Sequence, residues 1–355
     1  MTTDTNNPFR SIRASKIILP IVIGLGAVIW LFWREFKPEA FEGMIFSWKV
    51  IVFLLFAFLL MLARDLGYMV RIKVLSDDQL TWRQAFRVIM LWEFTSAVTP
   101  SAIGGTSLAI LFVNKEGISL GKSSSIVLAT SFLDELYFII MFPLLLLAVD
   151  ANTLFSIGNV GGSFLNEFFW FAVVGYIIKL CYTLAVSYGL FINPRGLKWM
   201  LLQIFRLSFL KRWRHQINEA GYEIVSSSRE LRRKPFLFWL KAFGSTFFSW
   251  TSRYWVVNMI LLAFFVLPGF GQHFLIFARQ FVMWIMQLIA PTPGGSGFAE
   301  YIFTEYLGDL IPLAGSAIVL ALIWRLISYY PYLILGALIV PKWANDKFSR
   351  KNKKT

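Results

Sequence analysis

Charged residues, cysteine and histidine are all scarce in this sequence. Asp, Glu, Lys and Arg make up only 15% of the 355 residues, whereas hydrophobic residues make up 57%, a balance unlike that of a soluble domain of this length. The single cysteine, Cys181, lies inside a long apolar run, so a disulfide framework is excluded. Low charge and high hydrophobicity together indicate a membrane protein.

Motifs of enzymes and of ATP-driven pumps are also missing. The two histidines, His215 and His273, lack metal-ligand spacing, and neither HExxH nor GxSxG occurs. The GGSG at Gly294–Gly297 lacks the lysine and the preceding strand of a P-loop. We therefore predict no metal, no cofactor and no enzymatic activity. The enzyme alternative is a membrane-embedded transferase that acts on a lipid-linked donor through Asp134 and Glu135.

Six apolar segments are long enough to cross a hydrocarbon core about 30 Å thick. They are Ile17–Trp33, Ile45–Ala63, Ser124–Val149, Phe168–Phe191, Phe236–Val266 and Leu313–Val340. The first follows Arg10, Arg13 and Lys16 and has no small-residue cleavage site after it, so we interpret it as an uncleaved anchor. Because no other region has the alternation of a soluble domain, we predict one transmembrane domain over residues 1–355.

Lysine and arginine are concentrated in alternate connections. They occur in the N-terminus, 64–87, 193–241 and the tail 342–355, and are absent from 150–167 and 300–312. By the positive-inside rule both termini are cytoplasmic. The basic segment 193–235 mixes apolar and basic residues, which indicates amphipathic helices on the anionic inner leaflet, or else a solvated loop that only sets topology. The net charge of +14 follows from these loops and does not indicate a nucleic-acid partner.

Two further apolar segments are each interrupted by glycine and proline. Ala85–Val113 contains Thr99–Gly105 (TPSAIGG), and Gln272–Tyr301 contains Pro291–Gly297 (PTPGGSG). The charge pattern requires each segment to return to the side that it left. The sequence therefore predicts an all-α polytopic fold of six spans plus two re-entrant hairpins that enter from opposite faces, with their tips meeting centrally. The alternative is that one hairpin is a full span kinked by proline.

The interrupted segments and the few ionisable residues at membrane depth form the candidate site, because charges there are costly and mostly functional. The candidate tip residues are Pro100, Gly104, Gly105, Pro291, Pro293, Gly294, Gly295 and Gly297, and the candidate substrate-binding or translocation residues are Glu93, Asp134, Arg253, Glu300, Arg325 and Tyr329. Ser328, Tyr329 and Tyr332 follow Arg325 at helical spacing, which predicts one polar stripe.

Three interpretations of these charges remain open. They could form structural salt bridges, for example between Arg325 and Asp134. They could bind the phosphate of a lipid, because a guanidinium matches phosphate bidentately. They could also relay a proton or an ion. Lys179, deep in the fourth segment, is expected to extend toward the cytoplasm.

Three stretches carry a resemblance to a known family. SAVTPSAIGGTSLAILFVNKEGISLGKSSSIVL (96–128), APTPGGSGFAE (290–300) and ALIWRLISYYPYLILG (321–336) resemble the lysylphosphatidylglycerol synthase transmembrane family. The resemblance runs from about Ile51 to Pro341, and its members are similar to the flippase half of the multiple peptide resistance factor. It implies roles for Pro100, Gly104, Gly105, Asp134, Pro291, Pro293, Gly294, Gly295, Gly297, Glu300 and Arg325. Where the family carries charges, this sequence has Thr106, Ala109, Thr130 and Ser131.

The resemblance implies a flippase-like protein of the bacterial inner membrane that moves a polar-headed phospholipid between leaflets. Arg325 and Arg253 would attract the phosphate, and Glu300, Asp134 and Glu93 would face a cationic part of the headgroup or couple protons. Synthesis of a lysyl-lipid is not implied, because the soluble aminoacyl-transferase domain of bifunctional members has no counterpart here. A third alternative is a non-transporting scaffold that docks a partner through 193–235. The lipid and the oligomeric state, a homo-oligomer included, stay open.

Overall fold

The computed structural model of the chain describes residues 33, 47–99, 101–155, 163–204, 225–267, 269–287, 292, 294–313 and 315–349. Of the predicted first span only Trp33 is among them. The predicted tip prolines Pro100, Pro291 and Pro293 lie outside the described residues. Within the described ranges the regular secondary structure is entirely helical.

The helices are numbered in chain order. They are α1 (Trp48–Leu75), α2 (Trp82–Val98), α3 (Ser101–Lys115), α4 (Leu120–Ala148), α5 (Ala151–Phe155), α6 (Ser163–Ser187, continued by a π turn over Tyr188–Ile192), α7 (Pro194–Ile204), α8 (225–232), α9 (Phe236–Phe264), α10 (Gly269–Gln287), α11 (Phe298–Leu307), α12 (Ala317–Ser328) and α13 (Tyr330–Ser349).

Four of the described helical segments are long and apolar enough to cross a membrane. They are Trp48–Leu75, Leu120–Ala148, Phe169–Ile192 and Ala317–Trp343, and each overlaps a predicted span. The predicted span Phe236–Val266 forms one helix, α9, of 29 residues. It is not among the four, because Arg253, Asn258 and several serines and threonines lower its mean hydropathy.

The first described helix extends well beyond its predicted end. The sequence placed that end at Ala63 and assigned Arg64 and Arg71 to a cytoplasmic connection, but α1 continues to Leu75. Arg64 and Arg71 are buried, with exposed fractions of 1% and 4%. The predicted end was wrong because both guanidinium groups have carboxylate partners on neighbouring helices, which lets them be buried inside the helical bundle, where an unpaired charge would be too costly.

Helices α1 and α9 pack closely against each other, and Gly67 makes the contact possible. A Cβ atom at this position would collide with the Ser249 hydroxyl and lie 3.0 Å from the Ser245 carbonyl oxygen. The Ser249 hydroxyl also donates a hydrogen bond of 3.0 Å to the carbonyl oxygen of Arg64. Small residues commonly let membrane helices approach this closely, and here the approach brings the buried arginines of α1 next to α9.

Each glycine-proline break separates two helices that pack against each other. The first break separates α2 from α3, where Gly105 is so close to Ser96 that a Cβ atom would collide with the serine side chain. The second separates α10 from α11 and contains Gly294, Gly295 and Gly297 at positive φ angles of 57°, 67° and 81°. Glycine adopts this backbone without the steric penalty of other residues. That the two pairs are re-entrant stays a prediction.

The last predicted span, Leu313–Val340, is two helices rather than one. Helix α12 ends at Ser328, Tyr329 has non-helical dihedral angles, and α13 starts at Tyr330. The break follows from Pro331, because a proline ring clashes with the carbonyl four residues earlier and lacks the N–H of a helical hydrogen bond. Helix α13 continues to Ser349, so the predicted basic tail 342–355 begins inside a helix.

A buried arginine in the middle of α10, which the sequence analysis missed, connects this helix to its neighbours. Arg279 forms an ion pair with Asp309 and donates hydrogen bonds of 2.9 Å and 3.0 Å to the carbonyl oxygens of Tyr306 and Thr153. It therefore joins α10 to α5 and to the end of α11. These partners lie in residues 150–167 and 300–312, the two connections that contain no lysine or arginine.

An ion cluster around Asp77 joins the α1–α2 turn to the first turn of α4 and to the junction of α8 and α9. Asp77 lies in the α1–α2 turn and accepts hydrogen bonds from Lys234 at 2.5 Å and from Lys122 at 3.3 Å. Partial burial raises the pKa of Asp77, but the hydrogen bond and charge of Lys234, together with Lys122, outweigh burial and keep the pKa below its usual value. The bond to Asp77 is the main cause that raises the pKa of Lys234. The cluster thus joins the α8–α9 junction to the rest of the bundle.

Asp77→Asn is expected to speed amide hydrogen exchange in 225–232 about three- to tenfold at neutral pH, because it removes the carboxylate shared by two lysines. The same loosening is expected in the wild type at low pH. The pKa of Asp77 is lowered in the folded state, so its contribution is present above the ordinary value of about 3.9 and is lost as the pH falls through the folded value. Hydrogen exchange read by mass spectrometry measures both effects.

Asp78→Asn is the matched control for this prediction. Asp78 also has a left-handed backbone, with φ 57° against 55° for Asp77, and asparagine tolerates that conformation. Its side chain is 78% exposed and pairs with Lys73 rather than with the α8–α9 junction. Equal acceleration in both variants would show that the Asp77 cluster does not hold 225–232.

Candidate functional site

A cavity of about 630 Å³, lined by charged and aromatic side chains, lies in the bundle between the two glycine-proline breaks. Its wall includes Ala97 and Thr106 on either side of the first break and Gly294 in the second. The charged residues of the wall are Arg71, Glu93, Asp134, Glu135, Arg253 and Arg325, and its aromatic residues are Tyr68, Trp92, Phe138, Tyr182, Trp250, Trp284, Trp324, Tyr329 and Tyr332. So many charges around one cavity are unusual in a chain with this hydrophobicity.

The two breaks touch each other at the cavity wall. The Gly294 N–H points to the Thr99 carbonyl oxygen at 3.5 Å, and the Tyr329 hydroxyl donates a hydrogen bond of 2.9 Å to the Ala97 carbonyl oxygen. A Cβ atom at Gly294 would collide with the Tyr329 ring and lie 2.7 Å from that same carbonyl. Glycine is therefore required at 294 by close approach as well as by its backbone angles.

Arg325 and Glu300 form a buried ion pair that shapes the second break. The Arg325 Nε donates to Glu300 at 2.9 Å, and a terminal nitrogen donates to the Gly294 carbonyl oxygen at 3.0 Å and to the Ser296 hydroxyl at 3.1 Å. Glu300 accepts the Gly297 N–H at 2.8 Å, which caps α11. Exposed fractions are 5% for Arg325 and 0% for Glu300, so this pair holds the backbone of the break in place.

The suggested pair of Arg325 with Asp134 is wrong, because each has a different partner. Asp134 binds Arg71 at 2.5 Å and 3.3 Å and accepts a hydrogen bond from the Trp250 indole at 2.6 Å. Arg71 donates a further bond of 3.2 Å to the Thr246 hydroxyl. Asp134 is therefore satisfied by α1 and α9, although it faces the cavity.

Glu93 belongs to a second buried cluster on α1 and α2. Arg64 lies 2.5 Å from Glu93 and 3.0 Å from Asp65, so one guanidinium is shared by two carboxylates. Tyr332 donates a hydrogen bond of 2.8 Å to Asp65. The rings of Tyr68 and Tyr332 flank Arg64 at 4.7 Å and 5.1 Å from its central carbon, which favours the cation further.

Glu135 and Lys179 form a third buried pair across α4 and α6. The Lys179 ammonium lies 3.8 Å from the centre of the Trp284 ring, and the residue is 8% exposed. The expectation that Lys179 extends toward the cytoplasm is therefore wrong. A carboxylate and an aromatic face satisfy the ammonium inside the bundle, so it has no need to reach water.

Arg253 differs from the other cationic residues of the cavity wall. It stacks against the Trp250 ring at 5.4 Å, but among the described residues it has no ion-pair partner within 4 Å. Arg253 and Glu93 line the same cavity. A guanidinium that is not occupied by a carboxylate is free to bind an anion in the cavity.

The cavity also reaches the surface of the bundle. Tyr182 on α6 lines the cavity and is 46% exposed, next to Ile178 on the same helix face, which is 64% exposed. An exposed isoleucine on a helix long and apolar enough to cross a membrane is the pattern of a lipid-facing surface. The cavity therefore borders that surface at α6.

The structure brings most of the predicted site residues together. Glu93, Asp134, Gly294, Arg325 and Tyr329 line the cavity, as does Arg253. Glu300 lies behind Arg325, and Gly295 and Gly297 form the turn before α11. Gly104 lies in the first turn of α3, and Gly105 packs against α2. The sequence analysis did not include Arg64, Asp65 and Arg71, although Arg64, Tyr68 and Arg71 have the spacing of one helix face.

Comparisons with known proteins agree with this architecture. The model of the family described as "Lysylphosphatidylglycerol synthase TM region" matches residues 17–336. A relative described as "UPF0104 membrane protein" from the archaeon Archaeoglobus fulgidus is 27% identical over 315 residues, which cover 83% of this chain and 89% of the relative. The match takes in both glycine-proline breaks and every charged residue of the cavity wall. The chain is a membrane protein that belongs to the lysylphosphatidylglycerol synthase transmembrane-region family.

Proposed function

We propose that this protein moves a polar-headed phospholipid between the leaflets of the bacterial inner membrane, with the headgroup passing through the central cavity. The observation that carries the proposal is a charged cavity of about 630 Å³ between two broken helix pairs of a membrane protein. Backbone that is not helical is tolerated at membrane depth where it lines such a cavity, and sites of this kind are typical of transporters.

The geometry supports different roles for the two arginines that were expected to bind phosphate. Arg325 is occupied by Glu300, the Gly294 carbonyl and Ser296, so its proposed role is to hold the second break in place. Arg253 faces the cavity without an ion-pair partner among the described residues, so its proposed role is to bind the lipid phosphate. A free guanidinium fits a phosphodiester bidentately.

The opening at α6 offers a path for the rest of the lipid. Since Tyr182 both lines the cavity and is exposed beside Ile178, the headgroup would enter there while the acyl chains remain in the bilayer. Keeping the chains in lipid avoids exposing their apolar surface to water. The basic residues of 193–235 would lie on the anionic inner leaflet.

Arg253→Gln is expected to slow translocation roughly ten- to a hundredfold, because a hydrogen bond to a charged group contributes about 1.5–3 kcal/mol. The measurement uses proteoliposomes that contain phosphatidylglycerol with a fluorescent acyl chain, whose outer-leaflet fraction is bleached by dithionite over time. The matched control is Lys241→Gln, which removes an exposed positive charge from the same helix and should leave the rate unchanged.

Two outcomes would contradict the proposal. Wild-type vesicles that exchange the labelled lipid no faster than empty vesicles would rule out translocation of phosphatidylglycerol. Equal rates for Arg253→Gln and Lys241→Gln would rule out phosphate binding at Arg253. Mass spectrometry of the extracted lipid tests the enzyme alternative, since a transferase changes the mass of the lipid whereas a flippase changes only its leaflet.

A further inference from the structure

Two carboxylates share one guanidinium beside the cavity. Asp65 and Glu93 lie 3.0 Å and 2.5 Å from terminal nitrogens of Arg64. Arg64 is 1% exposed, and its Nε has no hydrogen-bond partner among the described residues. This group of three residues therefore carries a formal charge of −1 when both carboxylates are ionised, in a place where burial makes an uncompensated charge costly.

The cation available to balance this charge is Arg253, which has no carboxylate partner within 4 Å among the described residues. Arg253 lines the same cavity as Glu93, and among the described residues neither Asp65 nor Glu93 forms an ion pair with it. Arg71, on the same side, is occupied by Asp134. The unpaired cation of the cavity wall beside the cluster is thus the same guanidinium that is proposed to bind the lipid phosphate.

We propose that Asp65 and Glu93 form a proton-binding site whose occupancy is coupled to anion binding at Arg253. A phosphodiester on Arg253 neutralises its charge and leaves the carboxylate pair with an unbalanced negative charge. One carboxylate oxygen then takes a proton from a hydronium ion in the cavity water, so an O–H bond forms on the carboxylate while one breaks in the hydronium ion, which becomes water. When the anion leaves, Arg253 again stabilises the carboxylate and the proton returns to water. This inference rests on the proposed function.

The side chains that face Asp65 and Glu93 from the neighbouring helices favour the binding of one proton by these two carboxylates together. Tyr332 on α13 donates its hydroxyl proton to Asp65 at 2.8 Å, and Tyr68 on α1 stacks on Arg64. Asp134 on α4 keeps its own partner, Arg71. Among the described residues around the pair, Arg253 on α9 is the cation whose charge a bound anion can remove. One proton for each monoanion makes the transported unit electrically neutral.

The wild-type protein provides the first test, in the same proteoliposomes with fluorescent phosphatidylglycerol. A pH difference of one unit at zero membrane potential should shift the steady-state leaflet ratio of the lipid about tenfold, toward the alkaline side, because lipid and proton move together. A potassium diffusion potential set with valinomycin at equal pH should have no effect on the ratio.

The variants Asp65→Asn and Glu93→Gln should respond to voltage rather than to the pH difference. Each removes one carboxylate, so Arg64 and the remaining carboxylate are neutral and no proton accompanies the anion. Translocation should lose its response to the pH difference and gain one to voltage, about tenfold in leaflet ratio for every 60 mV. The matched control is Glu305→Gln, an exposed carboxylate on α11, which should behave as the wild type does.

The outcomes separate this inference from the function on which it rests. Wild-type translocation that ignores the pH difference, or that responds to voltage, overturns proton coupling and leaves the flippase proposal standing. If Asp65→Asn and Glu93→Gln keep the wild-type response to the pH difference, proton coupling depends on other residues, and the proposed proton site is overturned as well. Wild-type vesicles without translocation overturn both proposals together.

Discussion

Glu300→Gln is expected to lower the free energy of unfolding by about 3–5 kcal/mol, the range measured when one partner of a buried ion pair is removed. Glutamine still fills the space and can accept the Gly297 N–H, which Glu300 accepts at 2.8 Å. It cannot balance the charge of Arg325, which is 5% exposed and lies 2.9 Å from the carboxylate. The loss therefore reports an uncompensated buried charge rather than a missing cap.

Unfolding in mixed micelles with increasing denaturing detergent, followed by tryptophan fluorescence, measures this loss. Glu305→Gln is the matched control on the same helix, where the side chain is exposed, and it should stay within about 0.5 kcal/mol of the wild type. The double variant Glu300→Gln with Arg325→Gln should be less destabilised than the sum of the two single variants, because neither charge is left alone. Additive losses would show that the two residues do not stabilise each other.

The helices of the fold follow from hydropathy more directly than their ends do. Four described helical segments, the last of them made of α12 and the start of α13, overlap predicted spans, because a long apolar run has few alternatives in a bilayer. The end of α1 was misplaced by 12 residues, from Ala63 to Leu75. A hydropathy pattern predicts that the span ends before Arg64, because a charged side chain lowers the local hydropathy. The partners Asp65 and Glu93 lower the free-energy cost of burying Arg64, but only after α1 and α2 have packed together. A partner on another helix leaves no local signal.

The same reasoning explains which parts of the candidate site were predicted. The breaks at Gly294 and between Val98 and Ser101 are visible in the sequence, because glycine and proline interrupt helices by local sterics. Which charged residues pair with each other is not visible in the sequence. Arg71, Glu300 and Lys179 could each pair with several residues of opposite charge. Packing decides among them: Arg71 meets Asp134, Arg325 meets Glu300, and Lys179 meets Glu135.

Gly67→Leu is expected to have the largest effect of any substitution between α1 and α9. Overpacking a close contact costs about 1–3 kcal/mol and sometimes more. At Gly67 the first added carbon already collides with the Ser249 hydroxyl and lies 3.0 Å from the Ser245 backbone oxygen. Backbone moves less easily than the end of a side chain, so we expect a loss of about 3 kcal/mol or more, together with loss of the α1–α9 contact that positions Arg64 and Arg71.

Gly244→Leu separates this packing effect from the general effect of adding a leucine to a membrane helix. Gly244 is an exposed residue of α9, and a Cβ atom there would meet nothing within 4 Å. Leucine also has a higher helix propensity than glycine, so this variant should be at least as stable as the wild type in the same detergent titration. If Gly67→Leu and Gly244→Leu unfold at the same detergent concentration, α1 and α9 do not require close contact. The buried arginines of α1 would then have to be held by their carboxylate partners alone.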